Sequence, residues 1–157
     1  MSAEPLAAAI GRIPSGLFVL TVQRGDIETG MLASWVQQCS FSPPLISLAI
    51  NPKRDIAGLL TLDSLFTLNI LEDTQTDMIV HFGRGFALNE PAFTDLDVIR
   101  GQSNGPILAE ALAFLTCQVK GRHPAGDHDL FIAQVIDGHM LDEGHPMVHV
   151  RKSGLHY

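Results

Sequence analysis

Cysteine is scarce: Cys39 and Cys117 are the only two in 157 residues, and they form no C-x-x-C or other metal-ligand spacing. That excludes a disulfide framework and fits buried thiols in a reducing compartment. Runs of positive charge are missing too. None exceeds Lys53-Arg54 or Arg151-Lys152, and ten basic residues face seventeen acidic ones for a formal charge of -7. A surface that grips nucleic-acid backbone is therefore not expected, and any anion site must be local. No window approaches the roughly eighteen uninterrupted apolar residues of a membrane helix, and residues 1–9 lack a basic stretch followed by an apolar core. These absences read as a cytoplasmic chain. Neither G-x-G-x-x-G nor G-x-x-x-x-G-K-[ST] occurs, so Rossmann or phosphate-loop nucleotide binding is not indicated. Five late histidines, at 123, 128, 139, 145 and 149, include no H-E-x-x-H, and no metal site is assigned.

What is present is apolar and ordered. Hydrophobic residues make up 46 % against 17 % charged, with mean hydropathy +0.20, the balance of a folded chain. Its length suits one domain, residues 1–157, that buries roughly two-thirds of its unfolded surface. Residues 6–10 suit a short helix ended by Gly11 and Pro14. Residues 17–22 are β-branched and aromatic, Arg24-Gly25-Asp26 supplies a turn, and residues 27–36 resume extended structure, which together predict a hairpin. Gly30-Met31-Leu32-Ala33-Ser34-Trp35 is followed by a polar crossing to Cys39-Ser40-Phe41-Ser42-Pro43-Pro44 and then by an apolar strand at 45–50, bounded by Pro44 and Pro52. Asp55 is placed to cap a helix through Leu62; residues 65–71 read as a strand and 74–82 as a second short helix. A short strand near 96–99, strands at 111–120, 129–137 and 147–150, and a turn over 121–127 complete the chain. Six or seven strands with two or three short helices, lacking regular β-α-β alternation, predict a mostly β, antiparallel barrel.

The order of several pieces resembles the flavin reductase-like family. They are Pro14-Ser15-Gly16 with residues 17–21, Gly30 to Trp35, Cys39 to Pro44, residues 66–71, Gly126-Asp127-His128 and Ser153-Gly154. Residues 27–43 are especially similar to the C-terminal flavin-reductase module of cyanobacterial-type flavodiiron proteins, of whose diiron and flavodoxin-like domains this sequence shows no counterpart. The resemblance implies a split β-barrel that binds FMN or uses flavin as a substrate. It implies NADH or NADPH as donor, electrons passed to an acceptor protein, oxygen or free flavin, and a homodimer with each flavin near the subunit boundary. The alternative is an FMN-binding electron carrier or sensor without a nicotinamide site.

The resemblance also assigns roles. Met31, Leu32, Ala33, Ser34 and Trp35 are expected against the isoalloxazine, largely through backbone amides, with Ser34 the best side-chain hydrogen-bond candidate. Cys39 and Ser40 fall near the ring or its pyrimidine edge. A dianionic phosphate demands charge-assisted donors, which points to Asn51, Lys53 and Arg54, Arg54 being favoured for its bidentate geometry. In many relatives hydroxyl residues stand where this chain has Lys53 and Asp55. Arg84, between Gly83 and Gly85, is a second candidate for a phosphate or the nicotinamide dinucleotide. His128 is the candidate catalytic residue, placed to orient substrate or donate a hydrogen bond to reduced flavin. Hydride transfer needs no recognisable acid-base set, so the absence of Ser-His-Asp or paired carboxylates is no obstacle.

Overall fold

The computed structural model describes residues 3–157. In chain order the elements are α1 (Ala3–Gly11), β1 (Ser15–Gly16), β2 (Phe18–Arg24), β3 (Ile27–Ala33), β4 (Val36–Phe41) and β5 (Pro44–Ile50). A 3-10 turn (Asp55–Leu59), β6 (Leu65–Ile70), α2 (Thr76–Gly83), β7 (Val98–Ile99) and β8 (Ile107–Leu108) follow. The chain closes with β9 (Ala113–Ala125), β10 (His128–Met140) and β11 (Val148–His149).

Seven strands form one antiparallel sheet in the order β3-β2-β6-β9-β10-β5-β4. Its two end strands, β3 and β4, are consecutive in sequence and separated only by Ser34 and Trp35, yet no ladder joins them among the described residues. The sheet therefore curls until its ends meet at a seam, which is what makes the mostly β barrel split. On the β4 side, the Ala49 amide donates to the Trp35 carbonyl at 3.0 Å, extending the β4–β5 pairing up to the seam.

Two apolar clusters hold this shape. One fills the barrel with Leu20, Val22, Leu48, Phe66, Leu68 and Phe131, all but excluded from solvent. The other lies outside it, where Leu17, Val19, Met78, Phe82 and Phe93 pack α2 and the following loop onto the sheet. Because β2 contributes alternate residues to both clusters, its sequence is apolar on each face, which is why residues 17–22 read so clearly as a strand. Of the three two-residue hairpin turns among the described residues, two place glycine at positive φ, Gly25 at 57° and Gly126 at 68°, each followed by aspartate; the β4–β5 turn is Ser42-Pro43.

The expected elements needed four corrections. Residues 36–41 form a strand, not an irregular crossing; β4 is a sheet edge with mostly exposed side chains, so it lacks an apolar signature. Residues 121–125 continue β9 instead of turning; beyond the region paired with β6 this end of β9 is an edge with only β10 beside it, and its mostly exposed, polar side chains carry no strand signature. The helix after Asp55 is one 3-10 turn of five residues that Arg54, not Asp55, precedes without a side-chain cap. Finally, Cys39 is exposed at a register shift in β4, whereas Cys117 is buried in the barrel with its thiol pushed up to about 12 by loss of hydration. No helix among the described residues is long and apolar enough to cross a membrane.

Candidate functional site

The seam opens on a cavity of about 350 Å³. Met31, Leu32, Ala33 and Ser34 form one wall from the end of β3; Ala49, Ile50 and Asn51 approach from the end of β5. Antiparallel pairing of Ile50 with Asp129 brings the start of β10, and so His128, to the same end of the barrel. Ile79 and Gly83 of α2 and Tyr157 complete the lining. Since β3 has only β2 as a sheet neighbour, the backbone groups on its outer edge have no strand partner and are available to a ligand. Close approach of α2 depends on a glycine. A Cβ on Gly30 would stand 3.0 Å from Phe82 Cε1 and 3.3 Å from the Leu20 carbonyl oxygen, so Gly30 lets the Phe82 ring lie against β3.

The turn after β5 supplies the charge. Asn51 Oδ1 accepts from the Lys53 amide at 3.0 Å and the Asn51 carbonyl from the Arg54 amide at 3.0 Å, folding residues 51–54 into a tight hook. Arg54 lines this cavity and also an adjoining recess of about 280 Å³, which contains Lys53, Asp55, Arg84, Phe86 and Glu90. The Arg54 guanidinium rests on Gly85, which adopts φ 77°: a Cβ there would stand 2.6 Å from Nη1. Neither Lys53 nor Arg54 has an ion-pair partner among the described residues, whereas Arg84 Nη1 lies 3.4 Å from Glu90 Oε2. Glu90 is held below its ordinary pKa chiefly by the Ala87 amide, which donates to Oε1 at 2.8 Å, with Arg84 adding to the effect.

His128 is mostly covered, its side chain 14 % exposed, and its Nδ1 stands 2.7 Å from Asp127 Oδ1. Asp127 is held below its ordinary pKa first by that hydrogen bond and then by charge, so its carboxylate accepts and Nδ1 donates. Nε2 is the ring nitrogen left free. Behind it the Trp35 ring packs on the imidazole at 4.7 Å, with Arg151 over the indole at 5.1 Å and Tyr157 at 5.9 Å.

Of the residues expected from sequence, the structure thus gathers Met31, Leu32, Ala33, Ser34, Asn51, Arg54 and His128 around one cavity, with Lys53 and Arg84 in the recess joined to it by Arg54. Trp35 faces a separate cavity on the other side of the seam and buttresses His128 from behind. Cys39 and Ser40 lie along the edge strand and line neither the cavity beside Met31 to Ser34 nor its recess. Tyr157, Phe86 and Gly85 went unremarked as site residues; only the glycine pair flanking Arg84 hinted at the last. No three His, Cys, Asp or Glu side chains converge on a metal-sized space among the described residues.

A mostly apolar slot at the seam of an antiparallel split barrel, ending at an arginine without an ion-pair partner among the described residues, has the form of a small-molecule binding cleft. The chain belongs to the family described as "Flavin reductase like domain", which matches residues 10–154. It is similar over 154 residues, at 38 % identity, to diflavin flavoprotein A 1 of Synechocystis sp. (strain ATCC 27184 / PCC 6803 / Kazusa); the match covers 97 % of this chain and 27 % of that protein. The chain spans between 25 % and 27 % of the length of the first three curated relatives it matches. Among solved structures, the Streptomyces globisporus C-1027 NADH:FAD oxidoreductase SgcE6 has a TM-score of 0.83 at 28 % identity, covering 91 % of this chain and 85 % of its own. The flavin reductase PheA2 has a TM-score of 0.80 at 27 % identity, covering 96 % and 94 %. The fold expected from sequence, a split β-barrel with short helices, is the fold found.

Proposed function

We propose that the chain, as a single flavin reductase-like domain, is an NAD(P)H:flavin oxidoreductase whose cleft takes the FMN unit of a flavin. The observation that carries this reading is the sharing of Arg54 between the cavity beside Met31 to Ser34 and the charged recess. One ligand with a flat ring at one end and an anion at the other satisfies both. The residues fit such a group: Met31, Leu32 and Ala33 offer apolar contact and free strand-edge backbone, Ser34 and Asn51 offer side-chain hydrogen bonds, and Arg54 is a cation with no competing carboxylate. When bound, the flavin would supply the hydride-accepting ring and the nicotinamide nucleotide the hydride.

The chain's own part is positional. Strand β3 and the hook at 51–54 fix ring and tail, α2 shields one flank from water, and His128, oriented by Asp127 and backed by Trp35, presents Nε2 at the cavity. From there it accepts a hydrogen bond that orients a bound nucleotide or, as the imidazolium with both nitrogens protonated, donates one to developing negative charge on the ring. The similarity to SgcE6, an NADH:FAD oxidoreductase, and to PheA2, a flavin reductase, supports the same chemistry here. The acceptor is a partner protein, oxygen or free flavin, the working form is a homodimer, and the setting is the cytoplasm.

Anaerobic absorption spectroscopy tests the assignment. The protein with FMN should lose its visible flavin bands on addition of NADH or NADPH; bands that persist with both donors would leave a flavin carrier and end the reductase assignment.

A further inference from the structure

The phosphate end of the proposed site rides on a turn that no side chain caps. Arg54 precedes the 3-10 turn at Asp55–Leu59 in extended conformation. What holds the turn is the barrel. Ile56, Ala57 and Leu60 are buried in the cluster that fills it, so the turn plugs that end of the barrel and carries Arg54 at its rim.

Two arginines reach the plug from different strands. At its far end Arg24 Nη2, from the end of β2, donates to the Leu59 carbonyl at 2.8 Å. Closer to Arg54, Arg122 Nη1 of β9 donates to the Ala57 carbonyl at 3.4 Å, and the Ala57 amide donates in turn to the Arg54 carbonyl at 3.0 Å. Arg122 is itself aimed from two sides. Its Nε donates to Asp129 Oδ2 at 2.7 Å, and its guanidinium lies 4.9 Å from the centre of the buried Phe131 ring. Asp129 shares a face of β10 with Phe131, which fills the barrel, whereas its neighbour His128 lines the cavity. Asp129 also stands opposite Ile50, the residue before the hook begins. One guanidinium therefore joins the start of β10, which presents His128, to the turn that presents Arg54.

We propose that Arg122 is a positioning residue for the flavin site: by bridging Asp129 and Ala57 it sets where Arg54 meets the flavin phosphate relative to His128. Arg122 lines neither the cavity nor the recess, so it acts through Arg54 and not by touching the ligand. Arginine suits the task because Nε and Nη1 serve two acceptors from one rigid plane, a fork that lysine lacks. The inference rests on the reading of Arg54 as the phosphate ligand.

Calorimetric titration of the intact chain with FMN and riboflavin tests it, since the ratio of the two affinities reports on the phosphate contact. The unaltered protein should bind FMN at least about ten-fold tighter than riboflavin, and Arg122→Ala should cut that ratio about three- to five-fold while riboflavin affinity stays within about two-fold. Arg122→Lys should leave an intermediate ratio. In an Arg54→Ala background, Arg122→Ala should change FMN affinity by less than about two-fold, because the group it positions is gone. Asp129→Asn, which releases the guanidinium without emptying the space, should move the ratio the same way by less, and carries the test alone if the alanine variant does not fold. A ratio untouched by these variants, or the same loss with and without Arg54, would overturn the inference while leaving Arg54 as the phosphate ligand. Unaltered protein that binds FMN no tighter than riboflavin would instead remove Arg54 from the phosphate, and the inference with it.

Discussion

The cavity beside β3 and the recess beyond Arg54 share a border, yet they are made of different materials. The first is framed by strand ends whose positions follow from sheet register: Met31 opposite Leu20, Ala33 opposite Phe18, Ile50 opposite Asp129. The second is framed by a four-residue hook and by the segment after α2, where side chains and one left-handed glycine fix the geometry. Rigid backbone suits an aromatic ring, which must be held to within fractions of an ångström for transfer. Adjustable side chains suit a phosphate, whose charge tolerates small displacement. Damage to the packing under β3 should therefore cost stability first, and damage to the hook or the loop should cost affinity first.

The largest effect should come from Phe82→Ala, which empties the space against Gly30 and between α2 and the sheet; denaturant unfolding should show a loss of about 3–5 kcal/mol. A loss well below 1 kcal/mol would mean that α2 is not part of the rigid wall. Arg54→Ala leaves the sheet alone and should weaken FMN binding by about 1.5–3 kcal/mol, with little effect on riboflavin, which has no phosphate. Equal loss for both ligands would place Arg54 at the ring instead.

Gly85→Ala joins the two kinds of effect. The residue must hold φ 77° and its Cβ would displace the Arg54 guanidinium, so a stability loss of about 1–2 kcal/mol should accompany a several-fold weaker FMN affinity. Ser34→Ala should weaken flavin binding by about 0.5–1.5 kcal/mol without altering the unfolding midpoint. The smallest effect is on acid stability. Because Glu90 has its folded pKa depressed, it contributes stability above its unfolded pKa and loses that contribution as pH falls through the folded value. Glu90→Gln should accordingly flatten the acid limb of the stability curve slightly as pH falls below the ordinary glutamate range; an unchanged limb would show that the Ala87 contact has no energetic weight.

The same division governs what could be read from sequence. Strands β2, β5 and β6 carry apolar runs because they face the barrel interior or both clusters, and Gly-Asp turns announced one hairpin. Strand β4 was hidden since an edge needs no apolar face, and the outer ends of β9 and β10 were hidden for the same reason. Met31 to Ser34 and Asn51 with Arg54 were legible only through family resemblance, because backbone contacts leave no side-chain signature. Trp35 was expected at the cavity, but alternation across the seam turns its ring toward His128 and the neighbouring space. Phe86 and Tyr157 reach the site only by tertiary folding of segments with no periodicity, which no local pattern reports.

A crystal structure of the chain with FMN bound tests the account most directly. The isoalloxazine should lie against Met31 to Ser34, with its phosphate in hydrogen-bonding reach of the Arg54 guanidinium. A flavin seated instead in the apolar opening between Phe18 and Val36, or a phosphate remote from Arg54, would contradict it.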